Sequence, residues 1–223
     1  MAQAMIIGRG DNTLSNFPDL TYTGSYSLID EGNGNWIAKF FTDGTLKFNS
    51  IKTDVDLFLV GGGAGDNGGV YPGGRLGGGG GYTMTTIKTP ARNVEYPIVI
   101  GAGGARKADG GVTSALGSSV LGGKHGIYNG STPDGGSGGG GYLSAGGSDG
   151  NNGKGSQAGQ GQGSTTRAFG EPTGDLYSAG GGGGDNALSG AGLTGNNSGA
   201  GGNNSNNQTG CSGIVIIRNH RPV

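Results

Sequence analysis

Most of the materials of a conventional globular domain are scarce in this chain. It has one cysteine, Cys211. An internal disulfide and most metal sites are thereby excluded. Charged residues make up 13 % and the net charge is −1, so there is no basic face for a phosphate backbone and no nucleic-acid partner is expected. No run of 18 apolar residues exists, and membrane insertion is not expected. The first nine residues, Met1 to Arg9, lack a basic start followed by a long apolar run. No secretory signal is therefore expected. Apolar residues are only 31 %, and no amphipathic helix can be traced. Seven prolines are too few for collagen, which also needs an unbroken glycine at every third residue.

What the chain has instead is glycine. Fifty-one of its 58 glycines lie between residues 61 and 210. Composition of this kind favours disorder, but the apolar segments are too well patterned for a linker. The glycine field opens off Val55-Asp56-Leu57-Phe58-Leu59-Val60 and closes onto Ile214-Val215-Ile216-Ile217. Both runs read as strands, and the near-continuous apolar character of the first predicts burial on both faces.

Before the field, residues 20–60 read as a four-stranded β-meander. Tyr22, Gly24, Tyr26 and Leu28 alternate with polar residues at period two. Gly32-Asn33-Gly34-Asn35 supplies the positive φ angles of a type I′ hairpin. Trp36, Ala38 and Phe40 continue the return strand, and Asp43-Gly44 predicts a second hairpin turn. Within the field, strands are expected near 82–87 and 94–100, where Pro97 implies an edge or a bulge. Weaker strand signals occupy 112–116 and 119–121, and none appears from 122 to 210. A closing strand is expected at 211–218. The domain reading is an N-terminal arm and connection over 1–19 and one glycine-rich domain over 20–223.

The glycines recur in phase. Gly62, Gly65, Gly68, Gly74, Gly77 and Gly80 share one period-three register; Gly135, Gly138, Gly141, Gly147, Gly150, Gly153 and Gly159 share another. Three residues per turn is the repeat of a polyproline-II-type helix, which has no internal hydrogen bonds. Its N–H and C=O groups must find neighbours. A glycine face lets another backbone approach closely enough to supply them. Each glycine costs roughly 0.5–1 kcal/mol more than alanine to order, so a dense hydrogen-bond lattice is required in return. The expected fold is all-β: a sandwich or jelly-roll-like framework carrying a bundle of polyglycine-II-type helices, with essentially no α-helix.

The order VDLFLVGGGAG, GGGGGYTMTTI, YPIVIGAGGARKADGGVTSALG and finally GCSGIVIIR resembles the glycine-rich proteins of bacteriophage tails. The layout is also similar to the tail-fibre tip adhesins of some T-even-type phages and to the glycine-rich domain of anaplastic lymphoma kinase receptors. The resemblance covers 54–218. It implies a sandwich that anchors a polyglycine bundle, with loops at the bundle ends binding a host surface protein or glycan. A virion tail location follows from it. The alternative is a self-assembling surface or extracellular filament subunit.

Chemistry-bearing motifs are weak. Gly63-Ala64-Gly65-Asp66-Asn67-Gly68 spells G-x-G-x-x-G after a strand, but Val70-Tyr71-Pro72 is no helix start, and a dinucleotide needs one. Gly123-Lys124-His125 lacks the Ser or Thr of a P-loop. His125 and His220 have no ligand neighbours in sequence. No catalytic, metal or cofactor site is expected, and no enzymatic activity. Arg9-Gly10-Asp11 and the Asn-x-Ser/Thr sequons read as coincidence. The aromatics in the field are the candidate surface-binding residues: Tyr71, Tyr128, Tyr142, Phe169 and Tyr177. Rings among small polar residues suit sugar or protein surfaces; the alternative is that each caps a bundle end or packs on the sandwich. Ala4, Met5, Ile6 and Ile7 form a candidate assembly strand. So short a strand must pair with its own framework or a neighbour's, and a homo-oligomer, trimer or filament, is expected.

A far-UV circular-dichroism spectrum of the purified chain should show β and non-regular signal only. A pronounced double minimum from α-helix would overturn the reading.

Overall fold

The structure, a computed structural model, describes residues 6–7, 17–69, 74–184, 188–203 and 209–221. Arg9-Gly10-Asp11 lies outside the described residues. The described part is all-β, with no α-helix. Eleven strands follow in chain order: β1 Ile6–Ile7, β2 Asp19–Tyr22, β3 Tyr26–Gly32, β4 Asn35–Phe40, β5 Gly44–Ser50, β6 Val55–Val60, β7 Thr83–Lys88, β8 Glu95–Ile98, β9 Thr113–Ala115, β10 Ser118–Val120 and β11 Ile214–Asn219. They form a six-stranded sheet in the order β1-β3-β4-β11-β6-β7, a three-stranded sheet β2-β5-β8 and the hairpin β9-β10.

Local sequence explains the hairpin β3–β4. Asn33 and Gly34 both take positive φ, 54° and 78°, between Gly32 and its partner Asn35, as a type I′ turn demands. The meander, however, is not formed. The run Tyr22–Leu28 divides into β2 and β3, which belong to different sheets. Asp43-Gly44 likewise carries the chain from β4 in the large sheet to β5 in the small one, instead of closing a hairpin. The reason is steric. Gly24 and Gly44 pass so closely that a Cβ on Gly44 would overlap Gly24 N and the Tyr22 ring. The two glycines let both strands change sheet at one corner. Period-two alternation survives the change, because Tyr22, Tyr26, Leu28 and Phe40 all reach the same core.

That core lies between the sheets. Trp36, Phe40, Leu57, Leu59, Val215 and Ile217 from the large sheet meet Leu20, Leu46, Phe48 and Ile98 from the small one. Each such side chain stabilises the fold by roughly 1.5–3 kcal/mol. The opposite face of the large sheet is covered as well. Phe58, Val60, Ile214 and Ile216 pack under Ala168, Phe169 and Tyr177. All six residues of β6 and all six of β11 are buried, as the apolar run at 55–60 predicted. Arg218 ties the cover down. Its guanidinium lies 4.0 Å from the Phe169 ring centre and pairs with Asp56 at 3.0 Å and Glu171 at 2.8 Å. Burial alone would lower the Arg218 pKa, but hydrogen bonds to Glu171 and Asp56 outweigh it and raise the value.

β6 and β11 are adjacent and antiparallel, with Val60 opposite Ile214. The glycine field therefore leaves and re-enters the sheet at neighbouring points. Within it, hydrogen bonding follows a three-fold rule. Gly62 and Gly65 donate to Gly111 and Ala108, at 2.9 and 3.0 Å; Gly63 donates to Cys211 and Ala64 to Gly79. In return Gly123, Gly104 and Gly202 donate to Gly62, Gly63 and Ala64. Segment 61–65 is thus surrounded by six others, 76–82, 101–105, 108–111, 121–124, 199–202 and 210–213. Segment 77–82 behaves alike. Gly77 and Gly80 donate to Gly140 and Ser137, Gly78 and Gly81 to Gly202 and Gly199, and Gly79 and Tyr82 to Lys124 and Leu121. Successive N–H groups turning to a new neighbour, with return at the fourth residue, is the three-residue turn of polyglycine II.

A segment in the middle of such a lattice has neighbours on every side. Glycine on one face, the simplest reading of the period-three phases, is insufficient there: Gly77 through Gly81 are all buried and all abut neighbouring backbone. At Gly138 a Cβ would overlap the carbonyl oxygen of Gly159. Gly138→Val should lower stability by about 3 kcal/mol or more, the upper range for overpacking. Gly117→Ala, where a Cβ meets open space but φ is +74°, should cost about 1–2 kcal/mol. Thermal melts of both variants check the difference; equal melting temperatures would contradict close packing at Gly138.

Candidate functional site

The lattice has a near end, at the sandwich, and a far end. Segment 61–67 runs outward from β6, and 76–82 returns to β7, joined by rungs Gly61–Tyr82, Ala64–Gly79 and Asn67–Leu76. The same alternation of outward and returning segments places residues 66–69 and 74–75 and the turns near 105–108, 127–131, 141–144 and 154–157 together at the far end. Direct contacts confirm their adjacency. Asn129 N–H donates to Gln157 Oε1 at 3.3 Å, and Gln157 Nε2 donates to Asn129 Oδ1 at 3.0 Å. Gly155 abuts Ser144, and Gly184 abuts Leu143.

The sequence-predicted aromatics divide between the two ends. Tyr128 stands on the far turn at 51 % exposure, and Tyr142 is half-buried on the adjoining turn. Tyr71 lies outside the described residues. Tyr177 is not available at the surface, whereas Phe169 is half-buried over the large sheet. Tyr177 is 2 % exposed and packs 5.5 Å from the Phe58 ring. Its hydroxyl pKa is pushed up, first by burial and then by Asp175. Phe169 is held between Phe58 and Arg218. Both belong to segments that reach the sheet, so their rings fill the outer core.

Two far-end residues were not singled out in the sequence: Ile127 and Leu143, which are 55 and 53 % exposed. Their signal is a large apolar residue in a turn of small polar ones. Beside Ile127 and Tyr128 lies an open groove of about 420 Å³, lined also by Asn67, Gly68, Lys107 and His125. Asn67 shapes its floor. Its Oδ1 accepts from Gly69 N–H at 3.0 Å and Leu76 N–H at 2.9 Å, and its Nδ2 donates to Gly74 O. The G-x-G-x-x-G text thus ends in an amide-braced loop, with no α-helix following it among the described residues.

Charge at the groove is held in pairs. Asp66 is buried, 3.4 Å from Arg106. Burial raises its pKa, while Arg106, the Gly68 N–H and Lys107 pull it down less strongly. Asp109 accepts from Lys124 Nζ at 2.8 Å and from His125 N–H at 2.9 Å, and its Oδ1 lies 2.7 Å from His125 Nδ1. Partial burial pushes the Asp109 pKa up, but these hydrogen bonds and the Lys124 charge prevail and bring it to about 2. No group of three or more metal-ligating side chains occurs among the described residues.

A carboxylate with a depressed folded pKa stabilises the fold above its unfolded value, about 3.9, and that contribution is lost as pH falls toward 2. Asp109→Asn should therefore lower the melting temperature at pH 6 and lower it much less near pH 2, where the Asp109 carboxylate itself becomes protonated. The pair is solvent-accessible, so the effect should stay within about 1 kcal/mol. Melts of both proteins across this range check it; a difference that does not shrink on acidification would contradict the pairing.

The described residues also contain no helix long and apolar enough to cross a membrane. Comparison with curated proteins returned no match, nor did comparison with solved structures. A family model described as a glycine-rich domain matches residues 41–220, which takes in β5 to β11 and the entire polyglycine lattice between β6 and β11. The chain belongs to this glycine-rich domain family.

Proposed function

We propose that the protein is a non-enzymatic structural or adhesive component of a virion, of the phage tail or tail-fibre kind, that presents the far end of its glycine bundle to a host surface protein or glycan. The observation that carries this reading is the concentration of exposed Ile127, Tyr128 and Leu143 on turns at the end of a rigid lattice. Lattice segments are fixed on several sides by backbone hydrogen bonds, so the turns are held in place before any partner arrives. Preorganisation of this kind reduces the entropy lost on binding. Aromatic and aliphatic anchors beside a groove are the usual centres of binding energy. Lys107 and His125 add polar character at the groove. No cofactor enters this reading. The phage assignment rests on the resemblance of 54–218 to tail proteins.

The second reading is a self-assembling filament subunit. It draws on the apolar strand of the N-terminal arm, Ala4 to Ile7. Ala4 and Met5 lie outside the described residues, while Ile6 and Ile7 pair in parallel with Leu28 and Ile29 of the same chain. That pairing occupies the arm within one subunit and weighs against its use as an assembly strand.

Tyr128→Ala and Leu143→Asp alter exposed positions and should leave the melting temperature within about 1 °C. On the adhesive reading each should weaken binding of labelled protein to host cells at least tenfold; loss of a hot-spot anchor corresponds to about 2 kcal/mol. Undiminished binding by both variants would remove the far end as the binding surface. Long polymers in micrographs of the purified chain would favour the filament.

A further inference from the structure

The two sheets of the sandwich have four edges, and three carry features that discourage pairing with another chain. Among the described residues β1 spans only Ile6 and Ile7. β2 follows Pro18 and has a bulge between Asp19 and Leu20. β8 contains Pro97. Short strands, bulges and prolines are the ordinary protections of a sheet edge. β7 has none of them. It is six residues of Thr-Met-Thr-Thr-Ile-Lys, pairs with β6 without a register shift from Thr83 to Lys88, and bears one charge at its far end.

Its free side has a definite pattern. Thr83 N–H points away from β6 and donates to Gln162 Oε1 at 3.0 Å. Backbone groups in a strand alternate in direction, so Thr85 and Ile87 also present N–H and C=O outward. Both residues are exposed, Ile87 at 54 %. We infer that β7 is a pairing edge for a second copy of this chain, joining two large sheets antiparallel about a two-fold axis at Thr86.

The register follows from the pattern. Outward-facing residues must oppose outward-facing residues. An axis at Thr85 would set Thr83 against Ile87 and displace the Gln162 cap. An axis at Thr86 sets Thr85 of each copy against Ile87 of the other and leaves that cap in place. Met84 then opposes Lys88, and the two lysines lie at opposite ends of the interface without facing each other. The contact is self-complementary in hydrogen bonding and charge, as an isologous interface requires. It closes as a dimer, so this edge does not propagate into a filament.

The arrangement also orients the bundles. Tyr82 carries each chain from the lattice directly into Thr83, so the bundle lies at the start of β7. Antiparallel pairing places the two bundles at opposite ends of the joined sheet. The dimer is two-headed, with one far-end surface pointing each way. Its geometry suits bridging two surfaces, and it stands independently of the adhesive function proposed above.

Light scattering of the full chain over a concentration series should show a monomer–dimer equilibrium. Thr86→Cys places two cysteines at a non-hydrogen-bonded pair, where Cα atoms lie about 4.5 Å apart, within disulfide reach. Mild oxidation should give a crosslinked dimer on a non-reducing gel, whereas wild-type Cys211, which is buried, should not. Ile87→Lys sits on an exposed side chain and should preserve the fold while raising the dimer dissociation constant at least tenfold and suppressing the Thr86→Cys crosslink. A chain that stays monomeric at every concentration would overturn the inference. So would an oligomer that ignores Ile87→Lys and does not crosslink through Thr86→Cys.

Discussion

A polyglycine helix cannot satisfy its own backbone, and the rest of this structure depends on that constraint. Each N–H and C=O in the lattice must be met by another segment. The meeting is close: at Gly63, Gly77, Gly80 and Gly138 a Cβ would overlap a neighbouring carbonyl oxygen. Side chains can stand only where a segment faces outward or where a gap is left. The lattice is therefore stable as an array and not segment by segment. Its cohesion comes from many backbone hydrogen bonds, each worth about 1 kcal/mol net, with few apolar contacts in support.

Such an array needs a place to start and a way to hold its ends. The β6–β11 pair supplies both. Val60 and Ile214 are opposite each other in the middle of a sheet covered on both faces. This fixes the first and last segments of the lattice side by side. The outer cover, latched by Arg218 between Asp56 and Glu171, belongs to the same excursion. The field thus returns midway to seal the sheet that anchors it. Arg218 is held by Asp56 and Glu171 together, and Asp56 also faces His220 Nδ1 at 2.6 Å, so these buried charges are compensated as a network, as buried ions require.

Rigidity at one end frees the other end to vary. Far-end turns do not contribute to the sandwich core, and their side chains are constrained mainly by neighbouring turns. This is the common division between scaffold and recognition loops. Ile127, Tyr128 and Leu143 are placed where exposure has no structural compensation, while Asn67 and Gln157 brace the loops beneath and beside them.

By itself the sequence determined what local backbone chemistry can decide. Asn33-Gly34 required a type I′ turn, Pro97 required an edge or a bulge, the apolar run at 55–60 required a strand buried on both faces, and the run at 214–217 required a strand. Glycine at period three required a three-fold helix in place of α-helix, because neither helix propensity nor strand alternation fits that text. What the tertiary structure alone decided was partnership. Strands on either side of Gly24 and of Asp43-Gly44 joined different sheets, since a tight corner between two glycines is invisible in either stretch alone. Tyr177 became core and Phe169 packs half-buried against that core, while Tyr128 reached the far surface, although all three have similar neighbours in sequence. Burial of an aromatic ring in a glycine field depends on which end of the lattice its segment has reached, and only the hydrogen-bonded register between distant segments fixes that.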